Sequence, residues 1–265
     1  MTTIGTVESL WRYPVKSMRG EEMPEVFMGF SGIHGDRCCA FKNSAARKGF
    51  PYLNANVQQQ MLLYSPQFRY PERASKPPNL IEASSIEPGV TPANPDAEDM
   101  TLDVLTPSGE LLSVDDPALI KLLGAGLSEK NQLRLVRSDR ALTDCRPVSL
   151  ISLATVRQVE SELGLALDKR RFRANIYLDF AMESGGFAED ELVGRRLRIG
   201  SKATMIVLER DPRCRLISLD PETSEHNPEI LRKVVQAHDN FAGVYCAVLV
   251  EGLLKKGDVI ELVAG

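Results

Sequence analysis

Residues 196–208, Arg-Leu-Arg-Ile-Gly-Ser-Lys-Ala-Thr-Met-Ile-Val-Leu, contain two short runs of apolar and β-branched residues. These runs predict strands at 196–199 and 203–208. Further strands of the same kind are predicted at 175–179, 243–251 and 259–263. The last two are expected to be joined by a loop that contains Gly252 and Gly257. Few helices among many short strands favour a mainly β, α+β chain built around a β-barrel.

The first half of the chain shows the same strand-rich pattern. Strands are predicted at 4–13, 26–30 and 38–41, and a hairpin at 100–105 and 110–114. The segment from Ser65 to Asp99 holds seven of the 16 prolines. Because proline removes a backbone donor, we predict a surface excursion without regular structure there. Two helices are predicted, one between Ser152 and Gly164 and one at 228–237.

Length and composition limit the class of protein. The chain has 265 residues, of which 43% are hydrophobic and 26% charged, as in a globular protein of one or two domains. A net charge of −4 argues against broad nucleic-acid binding. The apolar runs are far shorter than the roughly 20 residues of a membrane-spanning helix. The first residues lack the pattern of a secretory signal, so no membrane partner is predicted and the cytoplasm is the expected location.

Several common kinds of site have no motif in the sequence. The patterns GxGxxG, GxxxxGKS, GxxxxGKT, HExxH, GxSxG and CxxC do not occur, which argues against dinucleotide, P-loop, zinc-protease and α/β-hydrolase chemistry. The three histidines are far apart in the sequence, so no zinc site is expected. The five cysteines are sparse and odd in number, which argues against a disulfide framework.

Cys214 is the strongest candidate for a reactive side chain. It follows a predicted strand and Pro212, so we expect it in a loop, and three arginines lie within four residues of it. Positive charge favours the thiolate, which is both a nucleophile and a ligand for soft metals. The alternative is a cysteine in a solvated, charged loop. Cys246, by contrast, alternates with valines along a predicted strand and is expected to pack in the core.

Basic residues suited to anion binding occur at three other places. Arg170-Arg171-Phe172-Arg173-Ala174-Asn175 leads into a predicted strand, Lys16-Ser17 follows the first strand, and Gly35-Asp36-Arg37 precedes the third. Arginine offers a planar fork of donors that fits phosphate. Each segment alone also fits a solvated surface. Together they indicate one anionic ligand larger than a single phosphate.

These segments resemble a known family. The motifs that carry the resemblance are Leu10-Trp11-Arg12-Tyr13-Pro14-Val15-Lys16-Ser17, Gly35-Asp36-Arg37, Arg171-Phe172-Arg173-Ala174-Asn175, Arg213-Cys214 with Asp220-Pro221, and Gly257-Asp258. The first two resemble the β-barrel domain found before MOSC domains, and the others resemble the MOSC domain of molybdenum cofactor sulfurases. The two-domain arrangement is similar to that of the mitochondrial amidoxime-reducing component and its bacterial relatives. The resemblance implies two β-barrel-like domains, residues 1–120 and 121–265, the second a MOSC-type barrel with a few helices.

The resemblance also implies a molybdenum cofactor, a molybdopterin with a terminal phosphate. Cys214 matches the family's molybdenum-ligating cysteine, so it is the expected catalytic residue and metal ligand. The positions that match those holding the pterin and its phosphate are Lys16, Ser17, Arg37, Arg173 and Asn175. Arg171 and Arg213 are expected to add to the cofactor-binding positive field. Candidate ligands come from both halves of the chain, so we expect the halves to share one electropositive cleft.

Three functions are consistent with these features. An oxidoreductase would reduce N-hydroxylated or N-oxide small molecules at the cysteine-ligated molybdenum. Because the sequence has no flavin or iron–sulfur motif, its electrons must come from separate electron-transfer proteins. A carrier module would instead hold the cofactor, or a persulfide on Cys214, for delivery elsewhere, with a partner as sulfur donor. A pyridoxal phosphate enzyme is a third alternative, although no lysine lies in a convincing Schiff-base context.

Overall fold

The structure, a computed structural model, describes residues 1–85, 92–182 and 184–263. These residues form sixteen strands and four α-helices. In chain order they are β1 (Thr2–Arg12), β2 (Glu21–Met23), β3 (Glu25–Gly29), β4 (Gly32–Ile33), β5 (Cys39–Asn43), β6 (Ser65–Phe68), α1 (Leu80–Ser85), β7 (Leu102–Leu105), β8 (Leu111–Ser113), α2 (Pro117–Gly124), β9 (Leu133–Arg137), β10 (Val148–Ser152), α3 (Leu153–Leu163), β11 (Ile176–Phe180), β12 (Arg196–Ile199), β13 (Ala203–Pro212), α4 (Pro228–His238), β14 (Phe241–Val250), β15 (Gly252–Lys255) and β16 (Val259–Val263). Short 3-10 helices lie at Gln59–Leu63, Lys169–Phe172, Ala188–Leu192 and Arg215–Ser218. In the described ranges, no helix is both long and apolar enough to cross a bilayer.

Seven strands close into a β-barrel. Their order is β11-β10-β14-β13-β12-β16-β1, and β1 also pairs with β11, which closes the ring. Neighbouring strands are antiparallel except for β10 and β11. These two are joined by α3, because a parallel pair needs a crossover connection. The predicted mainly β, α+β fold class is confirmed.

β1 joins the beginning of the chain to the barrel. Its eleven residues pair with β16, with β11 and, near the end of the strand, with β2. Register shifts between Thr3 and Gly5 and between Val7 and Ser9 let the strand bend from one partner to the next. A Cβ at Gly5 would lie 2.2 Å from the carbonyl oxygen of Asp179, so the close approach of β1 and β11 requires glycine.

The barrel interior is filled by alternate residues of its strands. The buried cluster includes Val7, Leu10, Leu150, Ile176, Leu178, Leu197, Ile199, Met205, Val207, Val244, Cys246 and Ile260. Cys246 is fully buried among them, which confirms its predicted place in the core. Burial also raises the pKa of its thiol, so this cysteine remains neutral and unreactive.

The remaining strands form three smaller sheets beside the barrel: β15-β3-β4, β5-β9 and β6-β7-β8. The sheets β5-β9 and β6-β7-β8 share a second apolar cluster that includes Val15, Phe41, Leu53, Met61, Leu102, Val104, Leu119 and Leu123. The sheet β15-β3-β4 instead packs its buried residues into the core cluster of the barrel. The loop predicted between β14 and β16 is wrong, because β15 lies there and pairs with β3 from the other end of the chain. The division into domains 1–120 and 121–265 stays a prediction.

The two predicted helices are confirmed. α3 follows Ser152, whose Oγ accepts a hydrogen bond from the Thr155 N–H at 3.0 Å, and ends at Gly164 with φ of 66°. α4 begins at Pro228, a position where proline is favoured because that N–H has no helical acceptor. The predicted hairpin is also present, with β7 and β8 paired antiparallel.

The absence of regular structure predicted between Ser65 and Asp99 is wrong at two places. β6 pairs with β7 although it contains Pro66. This is tolerated because β6 lies at the edge of its sheet and pairs with one strand only. The missing N–H of the proline therefore interrupts no hydrogen bonding to a second neighbouring strand. α1 occupies a second part of the segment. Residues 86–91 of the predicted excursion lie outside the described residues.

Candidate functional site

A cavity of about 720 Å³ is lined by residues from both halves of the chain. Its volume falls within the ~300–1,000 Å³ of typical small-molecule and cofactor sites. All the residues predicted from the sequence lie on its wall: Lys16, Ser17, Arg37, Arg171, Arg173, Asn175, Arg213 and Cys214. The tertiary structure thus brings the predicted residues together, while their roles toward a ligand stay predictions.

The cavity wall is strongly basic. Its acidic residues are Asp144 and Asp211, and its basic residues are Lys16, Arg37, Arg47, Arg146, Arg171, Arg173 and Arg213. The whole chain carries a net charge of −4, so positive charge is concentrated at this wall. A cavity lined by one sign of charge raises the local concentration of an oppositely charged ligand, here an anion.

Arg37 is held in place by several internal contacts. Its Nη1 forms an ion pair with Asp36 Oδ2 at 2.5 Å, and its Nη2 donates to the carbonyl oxygen of Arg173 at 3.1 Å. Asp36 is itself buried and accepts the N–H of Tyr13 at 2.8 Å. Arg37 therefore carries a charge that the protein already neutralises, and its main effect is to order the neighbouring Arg173 backbone.

Arg173 is the least compensated cation of the site. Its guanidinium stacks on the Tyr13 ring with Cζ 4.3 Å from the ring centroid, and within the described residues it has no acidic partner. Its Nη2 is buried without a hydrogen-bond partner. Burial, together with the nearby charge of Arg37, lowers its pKa to about 10. An unpaired buried cation is costly, so this position favours an anionic ligand.

Three of the predicted site residues have left-handed backbone conformations. The φ angles are 67° for Ser17, 44° for Arg37 and 52° for Arg173. Such conformations cost roughly 1–3 kcal/mol each in residues other than glycine and concentrate at functional sites. At Arg173 the left-handed turn ends the 3-10 helix at Lys169–Phe172. The fold thus keeps strained backbone where the cavity needs these side chains.

Lys16 is a buried lysine with a built-in counterion. Its Nζ lies 2.9 Å from Asp144 Oδ1 and donates to the carbonyl oxygen of Leu142 at 3.0 Å. Burial lowers the pKa of Lys16, and the Asp144 carboxylate opposes this shift. The adjacent Ser17 is also buried, and in the described part of the chain its hydroxyl has no hydrogen-bond partner. Ser17 therefore presents a free donor beside a partly neutralised ammonium.

Arg171 and Asn175 differ in how much hydrogen-bonding capacity they retain. Arg171 Nη2 pairs with Asp220 Oδ2 at 2.6 Å, whereas its Nε and Nη1 are buried without partners. Asn175 uses its whole amide inside the protein: Oδ1 accepts from the Ser149 N–H at 3.2 Å, and Nδ2 donates to the carbonyl oxygen of Trp11 at 3.2 Å. Arg171 can therefore contact a ligand directly, while Asn175 ties β1 to the cavity wall.

Arg213 also has a structural role. Its Nε and Nη1 donate to the carbonyl oxygens of Ala242 and Phe172 at 2.7 and 2.9 Å, and its Nη2 lies 2.9 Å from Asp211 Oδ2. None of these contacts involves Cys214. Arg213, although adjacent to Cys214 in the sequence, thus connects segments of the cavity wall and donates no hydrogen bond to the sulfur.

Asp211 makes the stability of the protein dependent on pH. Burial raises its pKa from 3.8 to about 6, although Arg213 and Tyr245 oppose this shift. The folded state therefore binds this proton more tightly than the unfolded chain, and the contribution of Asp211 to the free energy of unfolding falls as the pH rises from about 4 to about 6.

The Asp211→Asn variant lacks this titration. We expect its free energy of unfolding, relative to that of the original protein, to increase by on the order of 2–3 kcal/mol between pH 4 and pH 7. Urea unfolding of both proteins across this range measures the difference. A difference that is constant with pH would contradict the prediction, whatever its size at any one pH.

Cys214 is exposed and lies at the start of the 3-10 helix Arg215–Ser218. The Nδ2 atom of Asn56 lies 3.7 Å from its Sγ. The guanidinium of Arg215 instead donates to the backbone oxygen of Asn56 at 3.0 Å. The sulfur is therefore open to the cavity and is contacted by an amide from the first half of the chain.

Sequence reasoning missed several residues of the wall. Asp211 lies two residues before Arg213, whereas Arg146 is far from every predicted position, and no local pattern distinguishes either from a solvated charge. Asn54 and Asn56 lie in the segment Leu53-Asn54-Ala55-Asn56, which follows β5. Apart from this place in the chain, nothing in the segment marks it as part of a binding site. Tyr245 was hidden because it alternates with the core residues of β14. Each was found only through the folded chain.

Comparison with known proteins identifies part of the chain. Residues 137–261 match the MOSC domain family. The matched range contains the second half of the site, including Arg171, Arg173, Asn175, Arg213 and Cys214. A search of curated proteins finds no match.

The solved structures to which this chain is similar share 14–20% sequence identity with it. The YUAD protein from Bacillus subtilis is 14% identical, with 97% of this chain and 94% of that chain covered and a TM-score of 0.49. YiiM from Geobacillus stearothermophilus is 20% identical, with 45% of this chain and 55% of that chain covered and a TM-score of 0.36. YiiM from Escherichia coli is 15% identical, with the same coverages and a TM-score of 0.33. The match assigns residues 137–261 to the MOSC domain family, and these residues supply all or most of every strand of the barrel except β1.

Proposed function

We propose that this protein binds a molybdenum cofactor in the cavity and, with Cys214 as the molybdenum ligand, reduces N-hydroxylated or N-oxide small molecules. MOSC domains are associated with molybdenum cofactor binding. The observation that carries the proposal is that an exposed thiol and unpaired, buried arginine donors line the same cavity. The two features suit the two ends of a molybdopterin: a soft metal at one and a phosphate at the other.

The basic wall fits the anionic end of the cofactor. Arg171 has two buried donors without partners and Arg173 has one. A buried donor left unsatisfied costs about 1–3 kcal/mol, which a phosphate oxygen would remove. Ser17 offers a further hydroxyl donor beside them. Three other predicted residues already form hydrogen bonds or ion pairs inside the protein: Arg37, Lys16 and Asn175. We assign all three to holding the free donors in place, and the two cations among them also to the positive field of the cavity.

Cys214 fits the metal end of the cofactor. A thiolate is a soft ligand, and the sulfur is open to the cavity. When bound, the cofactor would supply two-electron redox chemistry at molybdenum. The protein's own contribution is to orient the sulfur at an exposed part of the wall, where a small-molecule substrate can approach.

The proposed reaction needs electrons and protons from elsewhere. Reduction of an N–OH group to N–H consumes two electrons and two protons and releases water. The electrons would come from separate electron-transfer proteins, which are the proposed partners. On the cavity wall, Asp211 has a pKa of about 6 and is hydrogen-bonded to Tyr245, so it is a suitable place to hold a proton near neutral pH.

The exposure of Cys214 also favours the second candidate, a carrier of the cofactor or of sulfur. A thiol at an open cavity is accessible to a protein partner that donates or accepts the cargo. In that case the chain would bind the cofactor, or a persulfide, without turnover of its own.

The test is to analyse the full-length protein, purified from cells supplied with molybdate, for molybdenum and pterin. We expect about one of each per chain, and reduction of a model amidoxime when an artificial electron donor is added. Protein that binds neither molybdenum nor pterin would contradict the proposed function. Bound cofactor without any turnover would favour the carrier.

A further inference from the structure

Asn56 approaches the sulfur of Cys214 from a distant part of the sequence. The two residues are 158 positions apart, and Asn56 Nδ2 lies 3.7 Å from Cys214 Sγ, within hydrogen-bonding distance for a sulfur acceptor. In the described ranges this is the one hydrogen bond made to the sulfur. The nearby arginines, which the sequence placed closest to the cysteine, donate to other groups.

The backbone of Asn56 is fixed on both sides. Its N–H donates to Asn54 Oδ1 at 3.0 Å within a local turn. Its carbonyl oxygen accepts from Arg215 Nη1 at 3.0 Å, and Arg215 Nη2 also reaches Gln59 Oε1 at 3.4 Å. Because Arg215 directly follows Cys214, the segment around Asn56 and the segment around the cysteine are linked at two adjacent points.

The side chain of Asn56 also has an unused hydrogen-bond acceptor. Its Oδ1 is buried and has no hydrogen-bond partner. An amide held in this way offers its N–H to the sulfur. Asn56 and Cys214 both line the cavity, so their contact lies beside whatever binds there.

We propose that Asn56 is a positioning residue for Cys214: its amide N–H donates to the sulfur and holds it facing the cavity. Because the backbone of Asn56 is anchored on both sides, this hydrogen bond restricts the rotamers that the Cys214 side chain can adopt. The proposal rests on the proposed function only in taking Cys214 as the reactive sulfur.

The test is the rate at which iodoacetamide alkylates Cys214 in the full-length, cofactor-free protein at pH 7, followed site by site by mass spectrometry. Asn56→Asp has nearly the same shape, keeps an acceptor oxygen, loses the N–H donor and adds a negative charge. We expect alkylation of Cys214 to slow by about tenfold, because the hydrogen bond that holds the sulfur toward the cavity is lost. Cys145, an exposed thiol on the same wall, serves as the internal reference and should react at an unchanged rate.

Asn54→Asp is the matched control. It places the same charge on the same segment and the same cavity wall, and its carboxylate still accepts the Asn56 N–H. We expect Cys214 to react within about twofold of the original rate, because water screens a charge that is not in contact with the sulfur. Asn56→Leu, which removes the donor without adding charge, should slow Cys214 in the same direction as Asn56→Asp.

The proposal would be overturned if Cys214 were alkylated at the same rate in the original protein and in both Asn56 variants. It would also be overturned if Asn54→Asp slowed the alkylation of Cys214 as much as Asn56→Asp does. Slowing of Cys145 together with Cys214 would also overturn it, because it would indicate a general structural change. The outcome is independent of the cofactor: a protein that never binds molybdenum but shows the selective Asn56 effect refutes the proposed function and supports this inference.

Discussion

Replacing Cys214 by serine is expected to abolish molybdenum binding and amidoxime reduction while the fold survives. A serine hydroxyl is a harder ligand than a thiolate and far less acidic, so it cannot take the same place at a soft metal. Cys214 is exposed and belongs to none of the buried clusters, so the substitution leaves the core intact. Molybdenum content, amidoxime reduction and the urea-unfolding midpoint of the variant measure the three parts of this prediction.

Two of the other four cysteines provide controls for this experiment. Cys145→Ser is the matched one, because Cys145 is exposed and lines the same cavity, and we expect it to keep both properties. Cys246→Ser places a hydroxyl in the barrel core and should lower stability without a selective loss of molybdenum. Molybdenum retained at its original level in Cys214→Ser would refute the assignment of the metal ligand.

Reversing the charge at Arg173 is expected to have the second largest effect. We expect Arg173→Glu to weaken cofactor binding by about one to two orders of magnitude, because a charge-assisted contact to phosphate contributes ~1.5–3 kcal/mol and each tenfold corresponds to about 1.4 kcal/mol. The position has no acidic partner in the described residues, so the substitution breaks no internal ion pair. Pterin retained after gel filtration, and the dissociation constant of added cofactor, measure the effect.

Arg146→Glu is the control for the overall field of the cavity. Arg146 lies on the same wall, but its Nε already forms an ion pair with Glu209 at 2.7 Å and its side chain is exposed. Solvent and salt screen such a charge, so we expect a loss of affinity of no more than about threefold. If both reversals weakened binding equally, the cavity would act only through its summed charge, and the specific role of Arg173 would be wrong.

The elements with strong local signals were predictable from the sequence. The bounds of β12 agree with the predicted strand at 196–199, and α3 has the predicted cap at Ser152 and stop at Gly164. Capping and strand alternation depend on residues a few positions apart, which is why they can be recognised without the fold. β6 escaped prediction because its proline is tolerated only at a sheet edge, and a strand's place in its sheet is a tertiary property.

The candidate site was partly predictable for a related reason. The chemical types required for a soft metal and an anion were visible as a cysteine and clustered basic residues, and the motifs gave them a family context. Which arginine remains free was not visible. Arg213 donates to the carbonyl oxygens of Ala242 and Phe172 and forms an ion pair with Asp211, whereas Arg173 has no acidic partner in the part of the chain that the structure describes.

The sequence by itself determined the strand-rich class, the capped helices and the set of residues able to hold an anionic, metal-bearing ligand, because these follow from residue type and local spacing. Only the tertiary structure decided that β1 closes the barrel, that β15 pairs with β3, and that Asn56 lies beside Cys214. These contacts join segments far apart in the chain. They arise from burial and backbone pairing satisfied across the whole molecule, which no local stretch of sequence encodes.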